Sequence, residues 1–235
     1  MNTRSWKHIL WIPINGVLAF GLPFLSLGLF RLPASVFYAI LILCSGAFIW
    51  YYSRGSKLNW RESLNAGWAL GIILGVFIGL AFFSMAYSGS LNSIQDWPRV
   101  VIMPLLWQGF VYGLFSAVLI SVFPFVVTWR ALAGANPGAI RKMAVTLAAV
   151  IAVGFVSFLY NLGMSTFNGR SLGDQFRKSM LASVPTIISG SPLAAPISSI
   201  FLQVSETVIS LEQANASQLK QSETARSKSA PGGID

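Results

Sequence analysis

From Val100 to Thr128 the chain reads VVIMPLLWQGFVYGLFSAVLISVFPFVVT, and no residue in it carries a charge. About 20 consecutive apolar residues suffice for a helix to cross the hydrocarbon of a bilayer, so this run can span one with room for tilt. In water such a run would have to be buried beneath a charged surface. The chain has little to build one from: of its 235 residues 54% are hydrophobic and only 10% charged, against roughly 25% charged in soluble domains. The expectation is an all-α, polytopic transmembrane helical bundle.

Other uncharged runs set its rhythm. Spans are expected at about 9–30, 36–52, 67–87, 100–128 and 143–163. The basic start MNTRSWKH followed by an apolar stretch resembles a secretory signal, but the stretch is too long for a signal core and no small-x-small cleavage site follows. An uncleaved first span is expected, bent near Pro13 or Pro23, because an interior proline removes a backbone hydrogen bond. Trp50, Tyr51 and Tyr52 close the second span, where aromatic rings suit the headgroup layer.

The region after Lys178 is harder to read. Ser179 to Ser205 is uncharged but interrupted by Pro185, Gly190, Pro192 and Pro196. Ser191-Pro192 reads as a helix cap followed by proline at the first helical position. Beyond it Ile197, Ile200, Phe201, Val204, Val208 and Leu211 keep helical spacing, with Ser198, Gln203, Ser205, Glu206 and Ser210 elsewhere on the wheel. Residues 1–178 are therefore expected to form a five-span bundle, and 179–211 an amphipathic or re-entrant membrane-associated helix. A sixth span is the alternative. The small, polar residues 212–235 suggest a disordered tail.

The formal net charge of +9 raises the question of nucleic acid. The basic residues sit in short connectors and build no surface that could follow a phosphate backbone, so nucleic acid is not an expected partner. They read better as orientation signals. With the N-terminus inside, the inner segments hold Arg4, Lys7, Arg54, Lys57, Arg61, Arg130, Arg141 and Lys142, while the outer connectors between the five spans hold Arg31 and Arg99; Arg170, Arg177 and Lys178, in the longer region after the fifth span, blur the bias. This bias places the N-terminus in the cytoplasm and, with five spans, the C-terminus outside. Cys44 is the single cysteine; it cannot form an intramolecular disulfide, and an inert buried thiol is expected.

Within the third span, glycine falls on every fourth residue: Gly67, Gly71, Gly75 and Gly79. Each weakens a helix in water by roughly 1 kcal/mol relative to alanine. In lipid, helices gain little from hydrophobic burial against one another and much from close approach, which small residues permit. The fourth span carries a second line at the same spacing, Gly109, Gly113, Ala117 and Ser121. Both lines are expected to be helix-packing faces, and they are natural partners for each other. A glycine-lined pore or a homodimer face is the functional alternative.

Polar side chains at membrane depth are few. Gln108 lies one turn from Tyr112 on the same face, and Tyr160-Asn161 closes the fifth span. Interhelical hydrogen bonds from such groups contribute roughly 0.6–2 kcal/mol, and glue between helices is the plain reading, as it is for Asn15. No Asp, Glu, Lys, Arg or His falls inside the five spans, which weakens the case for ion-coupled transport. Glu206 is expected on the wet face of the late helix. His8 is the sole histidine, and neither a metal-binding HExxH nor a phosphate-binding GxxxxGK[ST] is present. No catalytic residue, metal site or cofactor is implied, and an enzyme is not expected.

LLWQGFVYG (105–113), SVFPFVVTWRAL (121–132), FLYNLGMSTFNG (158–169) and SGSPLAAPISSIFLQV (189–204) resemble a group of uncharacterised multi-pass bacterial membrane proteins. The resemblance covers the C-terminal half and implies a bacterial inner-membrane protein with an outward-facing C-terminal segment. Members of that group carry histidines where this chain has Asn161, Ser199 and Gln203, so any chemistry those histidines support is not implied here. The leading functional expectation is a non-enzymatic structural or accessory component of the membrane, working with the lipid bilayer and with a membrane-protein partner or a second copy. A small-molecule transporter or permease-like protein is the alternative, and a cavity lined by Gln108 and Tyr112 would favour it.

Overall fold

The computed structural model describes residues 5–56, 67–87, 102–133, 138–168 and 171–229. Arg4, the connectors 57–66 and 88–101 with Lys57, Arg61 and Arg99, and the last residues of the tail lie outside the described residues. Among the described residues every regular element is helical. Seven helices follow in order: α1 (Lys7–Leu29), α2 (Ala34–Ser56), α3 (Trp68–Tyr87), α4 (Ile102–Leu132), α5 (Ala139–Asn168), α6 (Leu172–Ser189) and α7 (Ala194–Ser229).

Proline marks the irregularities of α1. Pro13 has no N–H for the Ile9 carbonyl, and the winding is interrupted at Leu10. After Pro23, Phe24–Leu29 relaxes into a wider π-helical winding. Arg31 then takes a left-handed φ of 49°, and the Pro33 carbonyl accepts the N–H groups of Val36 and Phe37 to start α2.

Helix α4 is the central rod. Residues 119–128 are buried on every side, the mark of a helix in the middle of a bundle. It packs with α1, α2 and α5 around Phe37, Leu41, Leu119, Val156 and Tyr160; Cys44 lies half-buried against this core. α4 also carries two π-helical stretches, Leu105–Tyr112 and Val118–Val122. In the second the Leu119 carbonyl accepts a hydrogen bond from Asn15 Nδ2 at 2.8 Å, so α1 supplies a donor where the irregular winding needs one. Close approach also joins α1 to α5: a Cβ on Gly163 would stand 2.6 Å from the Phe20 carbonyl oxygen, and one on Gly16 would stand 2.7 Å from Leu159 Cδ1.

The largest departure from expectation concerns the late segment. Among the described residues, five helices meet the length and composition needed to cross a membrane: α1, α2, α4, α5 and the Ala194–Leu211 part of α7. α3 runs 20 residues, Trp68–Tyr87, without a charge. The set includes α7, for which the sequence pattern suggested an amphipathic or re-entrant helix, with a sixth span as the alternative. Gly190 makes this possible. Its φ of 66° closes α6, its N–H donates to the Thr186 carbonyl, and the chain turns back as a helical hairpin. The Ser191 hydroxyl accepts the Leu193 N–H at 3.4 Å, as the cap reading requires.

Part of the polar side of the α7 wheel is buried, although Ser210 is exposed. Ser198 is fully buried and donates to the Ala182 carbonyl of α6 at 2.6 Å, while Ser205 and Thr207 return their hydroxyls to Phe201 and Gln203 of their own helix. Hydroxyl groups that satisfy themselves in this way cost little to bury. Past Leu211 the helix continues to Ser229, where composition had suggested a disordered tail.

Both glycine lines pack on α7, and not on each other. On one side of it, a Cβ on Gly71 would stand 2.5 Å from Ser191 Cβ, one on Gly75 2.8 Å from the Ala194 carbonyl oxygen, and one on Gly79 2.6 Å from Phe201 Cδ2. On the other side, a Cβ on Gly109 would stand 2.7 Å from Val204 Cγ2, and one on Gly113 3.0 Å from Ile200 Cα. The rising residue numbers make α3 parallel to α7, and the falling ones make α4 antiparallel to it. Gly67, with φ of 60°, starts α3 beside the Ser189 carbonyl. The second line continues through buried Ala117 to Ser121, whose hydroxyl meets that of Ser183 in α6 at 2.6 Å.

Candidate functional site

Every helix but α3 contributes to a cavity of about 390 Å³. It opens where α1 ends and α2 begins, at Leu27 and Ala34, and where α5 ends and α6 begins, at Met164 and Gln175. Its walls are more polar than those of the surrounding bundle. Gln108 and Tyr112 come from α4, Asn161 from α5, Lys178 and Ser179 from α6, and Gln203 and Glu206 from α7.

The hairpin brings the two charges together. Lys178 Nζ lies 2.5 Å from Glu206 Oε1, with the side chains 47% and 22% exposed. An ion pair this open to solvent contributes at most about 1 kcal/mol, so its effect on what enters the cavity exceeds its effect on stability. Glu206, expected on a wet face, lines the cavity and stays partly open to solvent. Asn161 is nearly buried and donates through Nδ2 to the Ser157 carbonyl at 2.8 Å and to Ser179 Oγ at 3.0 Å. Gln175 Nε2 is buried without a hydrogen-bond partner, an orphaned donor at the cavity wall. At the start of α6, Ser171 caps the backbone N–H of Asp174. The Arg177 guanidinium beside Asp174 holds that exposed carboxyl below the usual aspartate range, with Ser171 adding to the effect.

Tyrosines separate this cavity from a smaller one. The Tyr112 and Tyr160 hydroxyls are 2.7 Å apart and buried, and the Tyr38 ring packs on Tyr112 with centroids 4.7 Å apart. Tyr112, Ser179, Leu202 and Gln203 line both spaces. The inner chamber holds about 40 Å³ and adds Ser116, Ser121, Tyr160 and Ser199. A water molecule occupies roughly 30 Å³ of liquid and needs two to four polar partners, so the chamber has the size and lining to hold one.

The polar residues singled out in the sequence are thus gathered in one place: Gln108, Tyr112 and Asn161 line the outer cavity, and Tyr160 the inner chamber. Asn15 is not with them; it braces α4. The three positions picked out by the family resemblance, Asn161, Ser199 and Gln203, also line these spaces. Lys178, Gln175 and Tyr38 were missed, because only the hairpin and the α2–α4 contact bring them in. Among the described residues, no three His, Cys, Asp or Glu side chains come close enough to hold a metal ion. The fold and its apolar helices define a membrane-spanning helical protein. Comparison with family models, with curated proteins and with solved structures finds no match.

Proposed function

We propose that this protein is a permease-like integral membrane protein that takes a small polar solute into the cavity between α1, α2 and α4–α7. One observation carries the reading: amide, phenol and hydroxyl groups line a space of about 390 Å³ with an ion pair in its wall. Helices in lipid have no reason to leave polar groups around a void unless something polar fills it. Volumes of about 300–1,000 Å³ are typical of small-molecule sites. The π-helical winding at Leu105–Tyr112 supports the reading, since such windings recur at functional sites. The charge bias of the connectors favours a cytoplasmic N-terminus in a bacterial inner membrane, which puts the cavity mouth on the outer side. The reading is of a non-enzymatic protein.

Liposome swelling tests it. Vesicles containing the protein should take up glycerol, urea or the amino acid alanine faster than empty ones. A Ser179→Phe variant, which fills the cavity, should return the rate to baseline. Rates no faster than those of empty vesicles for all three solutes, with the protein inserted and folded, would reject the proposal.

A second reading keeps the accessory role, and α7 favours it. The helix runs 18 residues past Leu211 to Ser229, roughly 27 Å at 1.5 Å per residue, with a polar composition suited to docking a partner. Retention of a copurifying membrane protein by the full chain, and its loss on truncation after Leu211, would support this reading.

A further inference from the structure

The α6–α7 hairpin gives the outer cavity a chemical polarity. Gln175 and Lys178 line it from α6, and Gln203 and Glu206 line it from α7. Members of each pair are three residues apart, so they share one face of their helix. Lys178 Nζ and Glu206 Oε1 meet at 2.5 Å. We infer that the solute of this cavity is a zwitterion of the α-amino acid class, its carboxylate received by Lys178 and its ammonium by Glu206. The inference rests on the permease reading and names the substrate class for it.

Charge matching is the first argument. Ionisable side chains on a cavity between transmembrane helices mark functional sites, and this cavity holds one of each sign. An anionic solute drawn to Lys178 would displace Glu206 and leave that carboxylate beside a like charge. A cationic solute would strand Lys178 in the same way, and a stranded charge is costly. A zwitterion exchanges partners instead: one ion pair within the protein opens, and two form with the solute. In an α-amino acid both charged groups sit on the same carbon. One small molecule can therefore bridge two side chains that already touch.

Access is the second argument. The Lys178 and Glu206 side chains are partly exposed, so a solute reaches the pair without unpacking the bundle. An ion pair that open is weakly held, and charge-assisted hydrogen bonds to both ends of a solute can replace it.

The neighbouring amides fit the same ligand. Gln175 Nε2 is buried without a hydrogen-bond partner, one turn from Lys178. A carboxylate has about four lone-pair sites, more than one ammonium fills, and can accept from both. Gln203 lies one turn from Glu206 and brings an amide carbonyl to which an ammonium can donate. The cavity of about 390 Å³ leaves room for a short side chain beyond these groups. A neutral polyol would be served by the amides and leave the ion pair without a role.

Uptake by liposomes carrying the full-length protein, with empty-vesicle rates subtracted, tests the inference. Labelled alanine should enter, and glycine should slow it. Glycolate has a hydroxyl in place of the glycine ammonium, and ethanolamine a hydroxymethyl in place of its carboxylate. Each should compete about tenfold more weakly than glycine, the change expected for a lost hydrogen bond to a charged group. Lys178→Gln and Glu206→Gln should each lower the ratio of alanine to glycerol uptake by about tenfold on the same ground. Lys178→Arg, which keeps the charge, should retain most of that ratio. The competition uses the unaltered chain, so it decides the matter should a variant not fold. Equal competition by glycine, glycolate and ethanolamine, or an unchanged ratio in either glutamine variant, would overturn the inference and leave the permease reading standing. Uptake of glycerol and urea without alanine would do the same. No uptake of any of the three would overturn both.

Discussion

Replacing Gly75 by alanine adds one methyl group, and the structure says where it goes. The new Cβ would lie 2.8 Å from the Ala194 carbonyl oxygen and 3.0 Å from Ile197 Cβ. Ordinary contact begins near 3.4 Å, so the first distance is short by about 0.6 Å. A backbone oxygen cannot rotate away, and α3 and α7 must separate along their shared face. Overpacking of this kind costs typically 1–3 kcal/mol, against a gain of up to about 1 kcal/mol from helix propensity. Gly75→Ala is therefore expected to destabilise by up to about 2 kcal/mol. Gly46→Ala is the internal control, because a Cβ there meets nothing within 4 Å; it should be neutral or slightly stabilising. Thermal unfolding in one detergent, followed by size-exclusion recovery, compares the two directly. If Gly75→Ala matches or exceeds Gly46→Ala in stability, the α3–α7 contact is not as described.

Other expectations follow from single contacts. Ser198→Ala removes the 2.6 Å bond to the Ala182 carbonyl and should cost about 0.6 kcal/mol in a thermal-unfolding series. Asn15→Leu leaves the Leu119 carbonyl without its donor and should cost about 1–3 kcal/mol by the same measurement. Glu206→Gln should change stability by less than about 1 kcal/mol while altering solute uptake in liposomes, because the partly exposed pair acts on the cavity more than on the fold. The Asp174 carboxyl is held low by Arg177. Its stabilising contribution is therefore complete above the ordinary aspartate range and is lost as pH falls through its lower folded-state value. Asp174→Asn should flatten that part of the acid limb of a stability–pH curve below about pH 4.

The span rhythm was legible because uncharged length is a direct consequence of bilayer thickness. The two glycine lines were legible as contact faces for the same kind of reason, since a smooth helix in lipid invites a neighbour. Which neighbour was not legible. Spacing says that a groove exists, whereas the occupant depends on the Gly190 turn sending α7 back between α3 and α4. The polar wheel of that helix misled because Ser198 and Ser205 look wet in a pattern yet find acceptors within the bundle. The cavity was half legible. Gln108, Tyr112 and Asn161 stood out as polar groups at depth, but Lys178 and Glu206 meet only through the hairpin register. That register can be followed from the turn outward: Thr186 reaches Ala195, Ala182 reaches Ser198, and Lys178 reaches Glu206. The π-helical stretches of α4 left no periodic trace, although Pro104 and Pro124 lie beside them.

The helix that fills both glycine grooves is synthesised after the two helices that carry them. Until it arrives, the earlier helices hold a slot whose two smooth walls have nothing between them. Synthesis stopped before codon 194 would leave that slot vacant for the lifetime of the fragment, a lasting sign of an unfinished chain. Supplied as a separate peptide, residues 190–229 should close it in trans.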